Sequence, residues 1–388
     1  MIMAMMPMVT GVAFAESGGT SELDAWQIGA TDNDSVTAWL EKVSPATTPI
    51  TYTLHIEGTG EMKNFVFNES ANTRPWKDSV DRIVNVQVGN DVTGIGDNAF
   101  KGFSSLTSIT IPESVTFIGS YAFQLCRNLT TVSFTNISQS KITTIGDNAF
   151  DECSNLKSIT IPESVTSISS NAFDNCIGLT SVNIPSGVIK IEDHTFCGCS
   201  NLESIAIPAS VTSIGSNAFQ DCFELTRVEI PSGVIRIEDH TFNGCSKLEN
   251  ITIPESVTSI GQYAFDGCSK LENITIPESV TNIDSYAFQN CSGLTSITIP
   301  SGVASIKDYT FNGCSNLTSI TNIESVTSIG KYAFQNCSSL TNITIPASVI
   351  SIEDHTFFGC SNLESITIPA SVTSIEKNAF QNVVTLQP

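Results

Sequence analysis

The chain has 388 residues, with 39 acidic against 17 basic side chains and a formal charge of −22. That balance leaves no basic patch to release counterions from a nucleic acid, while 40% hydrophobic and 14% charged residues are too apolar a mixture for a disordered chain. No apolar run reaches the ~20 residues that span a bilayer, and the length exceeds one compact core, so several domains or an extended array are expected.

Five of the six methionines fall in the first eight residues. The apolar stretch runs on to Ala13, Phe14 and Ala15, an A-x-A pattern followed by Glu16. Residues 1–15 therefore read as the hydrophobic region and cleavage site of a secretory signal, without its basic start; a frayed apolar terminus is the alternative. Residues 16–82 carry all three tryptophans, Trp26, Trp39 and Trp76. The alternation from Thr51 to Ile56, followed by Gly58 and Gly60, predicts a hairpin within a β-rich N-terminal cap.

Residues 83–388 are one repeat written about thirteen times, with a step of 23 residues from Leu156 through Leu363 and one longer copy starting at Leu129. Numbering each coil from its leading leucine, positions 1, 4 and 6 are apolar at the spacing of a short strand. Position 7 is proline ten times, from Pro112 to Pro369, and ends that strand. Positions 10 and 13, as in Val115 and Ile118, return to the interior in a second short strand. Position 15 is Ser or Asp in ten copies, such as Asp97, Ser120 and Asp193, and is expected to cap a short helical turn. That turn would bring Ala at 17, Phe at 18 and Cys at 21 to one face. No coil can bury its apolar side alone, so stacking creates the core.

The pattern L-x-x-I-x-I-P-x-x-V-T-x-I-x-x-x-A-F-x-x-C resembles the BspA-like class of leucine-rich repeats across the whole array. The segment from Thr51 to Met62, with Arg74, Pro75 and Trp76, is similar to the cap that precedes such arrays. The resemblance implies a leucine-rich-repeat solenoid, a curved right-handed stack with a parallel sheet on its concave side and short strands or helical turns elsewhere. It also implies a secreted or cell-surface bacterial or mucosal-protist protein used for adhesion, with no catalytic residues. Asn322 and Ile323 depart from the usual Ile-Pro, and Phe103 and Val383 occupy the cysteine position of the first and last copies.

Eleven of the twelve cysteines sit at position 21. Parallel neighbours ~5 Å apart are close enough to bridge but do not offer the disulfide torsion, so a ladder of buried thiols is expected. Cys197, at position 19, should face solvent. No histidine accompanies the cysteines at zinc-ligand spacing. His194, His240 and His355 recur in an identical Glu-Asp-His-Thr-Phe phrase, which reads as surface decoration because a catalytic site is assembled once. The recurring Glu at positions 2 and 8 forms a solvated stripe, with weak calcium binding as the lesser reading. No nucleophile elbow, phosphate loop or cofactor motif is present, so no enzyme, metal or cofactor is expected.

The strand face is bland: positions 3 and 5 are mostly Ser, Thr or Asn, Arg227 is its one arginine, and it bears no aromatic from Leu106 onward. Protein interfaces need aromatic or arginine anchors, although a hydroxyl strip suits glycans. Position 16 differs. Tyr263, Tyr286, Tyr309 and Tyr332 occupy four successive coils and His355 the next. This row is the candidate surface for a host protein or glycan, with packing over the next coil as the alternative. The functional expectation is an exported, adhesin-like interaction protein; its rival is a spacer module with no ligand of its own.

Overall fold

The computed structural model describes residues 25–43, 49–68 and 71–383. The signal-peptide segment lies outside the described residues. From residue 83 onward the chain winds as a solenoid whose coils add strands to two parallel ladders. Positions 3 to 6 build the first, a seven-stranded sheet running in register from Ser108–Ile111 to Asn250–Thr252. It resumes as the pairs Ser296–Thr298 with Ser319–Thr321 and Asn342–Thr344 with Ser365–Thr367. Positions 12 and 13 build the second, from Val92–Ile95 onward. Inward residues are buried in almost every coil, whereas the outward neighbours in the strands are exposed.

Strands before residue 83 form a separate four-stranded sheet with Ile83–Val88 and add one strand to the second ladder. Strand Tyr52–Glu57 pairs antiparallel with Thr37–Lys42 and parallel with Ile83–Val88, and Gly60–Glu61 pairs parallel with Val92–Ile95. The hairpin expected after Ile56 does not form. Gly58 and Gly60, both at φ 111°, turn the chain from that sheet to the second ladder, and the antiparallel partner precedes this strand in sequence. Trp26 and Phe65 pack against the buried Trp76 at 6.1 and 5.2 Å between ring centroids.

The helical turn is also absent. In every copy, positions 16 and 20 are left-handed, for example Asn171 at φ 57° and Asn175 at φ 53°. This reverses the amides alternately. Those of positions 16, 18 and 20 donate to positions 15, 17 and 19 of the next coil, as from Tyr286 to Asp308, Phe288 to Thr310 and Asn290 to Asn312. The intervening amides close turns within the coil, as Cys291 does with Phe288. The corner thus becomes a third ladder, with its backbone groups paired coil to coil. Position 15 is not a helix cap. Oδ1 of Asp97, Asp193, Asp239 and Asp308 instead accepts the position-15 amide of the following coil at 2.8–2.9 Å.

Beneath this corner the phenylalanines of position 18 form one stack from Phe100 to Phe380, with centroids 5.1–5.8 Å apart. Beside them all the cysteines are free, and each position-21 thiol donates to the position-18 carbonyl of the preceding coil at 3.1–3.3 Å. Burial raises the pKa of ten of these thiols, Cys153 and Cys268 among them.

Candidate functional site

Position 16 lies at the left-handed corner, where Asn is the cheapest residue with a side chain and a bulky aromatic is strained by ~1–2 kcal/mol. Asn holds it in Asn98, Asn148, Asn171, Asn217 and Asn378, yet Tyr263, Tyr286, Tyr309 and Tyr332 adopt φ of 56–65° there. The four phenols stack face to face at 4.4, 4.6 and 4.5 Å between centroids, with planes within 14°. His355 continues the stack at 4.7 Å.

So does His240, 4.7 Å from Tyr263 at the opposite end. Sequence reasoning missed this member because it treated the histidines as one repeated phrase; the signal was that coil 225 directly precedes the first tyrosine coil. All six rings are half-buried. Desolvation, followed by the charge and hydrogen bonding of neighbouring phenols, raises the pKa of Tyr263 and Tyr309. The hydroxyls couple in pairs, Tyr263 with Tyr286 and Tyr309 with Tyr332.

At the far end Asn378 Nδ2 lies 3.1 Å from His355 Nε2, and His355 Nδ1 lies 3.0 Å from Asp354 Oδ1. That contact is electrostatic, being off the angle of a hydrogen bond. Within the row the ring faces are occupied by one another. What it offers a partner is a line of ring edges and hydroxyls at coil spacing. Tyr121 stands apart, 36% exposed, with Lys101 Nζ 4.9 Å from its centroid.

Beside the corner, the second ladder carries two shallow grooves. One runs along Ser285, Ser305, Asp308, Ser328 and Ser351, and two of its members directly precede Tyr286 and Tyr309 in the chain. The other, of about 480 Å³, crosses the first array coils. Its half-buried aromatic is Phe117, at a position that elsewhere holds small or polar residues. Position 12 lies outside the strand face of positions 2, 3, 5 and 8.

Cys197 was expected in solvent. It is half-buried instead, hydrogen-bonded to Asp174, and burial followed by that carboxylate pushes its pKa up to about 12. Burial and Asp151 in turn raise Asp174 to about 6. Among the described residues no three His, Cys, Asp or Glu side chains are grouped to hold a metal ion.

The chain matches the family model of the BspA type leucine rich repeat region over residues 78–199, 166–295 and 283–387. The chain belongs to that family. A leucine-rich repeat protein from Bacteroides ovatus is similar in structure, with a TM-score of 0.67 and 29% identity over 90% of this chain and 92% of that one. Another from Eubacterium ventriosum has a TM-score of 0.54 and 25% identity over 96% and 97%. A leucine rich cell surface protein from Faecalibacterium prausnitzii is 28% identical over 91% and 95%, with a TM-score of 0.49. No curated protein matches the chain significantly. No helix among the described residues is long and apolar enough to cross a membrane.

Proposed function

We propose that this family member is an exported or cell-surface interaction protein, without catalysis, that holds a host protein or glycan along the Tyr263, Tyr286, Tyr309, Tyr332 and His355 row. One observation carries the reading: four bulky rings occupy left-handed backbone that asparagine fills more cheaply elsewhere in the chain. Strain of this kind gathers at functional sites. Successive tyrosines present amphipathic edges at low entropic cost, and repeated weak contacts gain strength from their number. The test is retention of cells or immobilised matrix by the full chain and by its Tyr286→Ser, Tyr309→Ser double variant. Loss of retention with an intact fold supports the row; unchanged retention with a lower melting temperature rejects it. The mutual burial of the ring faces favours a second reading, a spacer whose ladder stiffens the array, and that second result would select it.

A further inference from the structure

The groove over the first array coils is independent of the tyrosine row and has its own chemistry. Its floor is the parallel ladder in which Gly94, Phe117 and Thr144 stand in register. The Phe117 ring lies over Gly94, where any Cβ would collide with the ring carbons, so glycine at 94 makes room for it. Asp97, Ser120, Thr144, Asp147 and Ser169 line the groove with it. Asp97 Oδ1 is engaged by the Ser120 amide at 2.8 Å, which leaves its other oxygen, and the Asp147 carboxylate is exposed.

No lysine or arginine lines the groove, and the chain carries a charge of −22, so an anionic ligand is disfavoured. The floor strands are bonded on both sides, which leaves no free edge for a peptide to join as an added strand. What remains are hydroxyl and carboxylate acceptors together with one aromatic ring, in a volume suited to a small molecule. A neutral ligand with one apolar face and a rim of hydroxyls fits that arrangement. We propose that this groove is a saccharide subsite, taking a neutral pyranose whose C–H face rests on Phe117 and whose hydroxyls donate to Asp97 and Asp147.

The experiment is NMR titration of the full chain with cellotetraose and chitotetraose at millimolar concentration, with a hyaluronan tetrasaccharide and tetra-arginine as comparisons. At least one neutral tetrasaccharide should bind, and Phe117→Ser should weaken it by about tenfold, the scale of one aromatic contact. Phe117→Ser should leave the retention that reads the tyrosine row unchanged, and Ser296→Ala on the strand face should leave sugar binding unchanged, so this site and the tyrosine row succeed or fail separately. Asp147→Asn, at an exposed position, should cost several-fold and stands in if Phe117→Ser does not fold. The inference is overturned if neither neutral sugar binds, if binding ignores the operative substitution, or if tetra-arginine is the probe that binds.

Discussion

A tyrosine at φ near 60° is a local loss that its neighbours must offset. Tyr286 is stacked on both sides, whereas Tyr121 has only the Lys101 contact. Asparagine would relieve ~1–2 kcal/mol of strain at either site. At Tyr286 it would also remove two ring contacts of ~0.5–1.5 kcal/mol each, beyond the apolar area they bury. Tyr286→Asn is therefore expected to destabilise by ~1 kcal/mol, and Tyr121→Asn to stabilise by ~0.5 kcal/mol after losing an exposed cation–π contact. Denaturant melts of the two variants check the contrast; equal shifts would show that the stack offsets nothing. Cys197 gives a second test at this scale. Raised to about 12, its thiol should label before the position-21 thiols yet more slowly than a free cysteine at pH 8. Asp174→Asn should speed that labelling, because the carboxylate opposes the thiolate. The folded Asp174 value of about 6 lies above its ordinary 3.8. Its contribution is therefore complete below about pH 4 and is lost as pH rises through 6, so Asp174→Asn should raise the melting temperature at pH 7 and leave it unchanged at pH 3.5.

The corner ladder is the element that answers most directly to pH. Its buried thiols have folded values above the ordinary one of 9.0. The raised value means that the folded state keeps its protons longer, so the stability from this source is whole below the unfolded pKa. It falls as pH rises beyond 9, by ~1.4 kcal/mol per pH unit for each thiol exposed by unfolding. Tyr263 and Tyr309, raised above 10, add to the loss at still higher pH. Guanidinium midpoints measured from pH 7.5 to 10.5 should fall steeply past 9, and less steeply for Cys245→Ala. A flat profile would contradict a buried, donating thiol ladder. The same element marks the limit of what could be read from the letters. Leu at position 1, Pro at 7 and Phe at 18 announce their roles because burial and hydrogen-bond loss act on each residue alone. The corner does not. Asn, His and Tyr share position 16 through a common left-handed backbone, and Asp serves position 15 by reaching a neighbour 23 residues away. A capping signal in sequence looks the same whether the accepted amide belongs to its own turn or the next coil. Phe117 was obscure for a related reason: its meaning depends on Gly94, one coil earlier.

At the scale of the molecule, each coil touches mainly its neighbours, and stability is close to a sum of coil and interface terms. Twelve steps of ~4.8 Å put the array at ~58 Å along its axis, and small-angle scattering should show an elongated particle of that order. The energetics follow the same geometry. Phe219 is fully buried and stacked on both sides, at 5.6 and 5.8 Å, whereas Phe380 is half-buried and stacked on one side only. Phe219→Ala should cost ~3–5 kcal/mol and weaken two interfaces in the middle of the stack. The coils on either side would then communicate poorly, and a single unfolding transition should divide into two. Phe380→Ala should cost less and only fray the last coil, leaving the main transition in place. Hydrogen exchange read coil by coil distinguishes the two: protection should drop on both sides of 219 in the first variant and only beyond about residue 363 in the second. Uniform loss of protection in either would mean that the array unfolds as one cooperative body, and that nearest-neighbour stacking is not what holds it together.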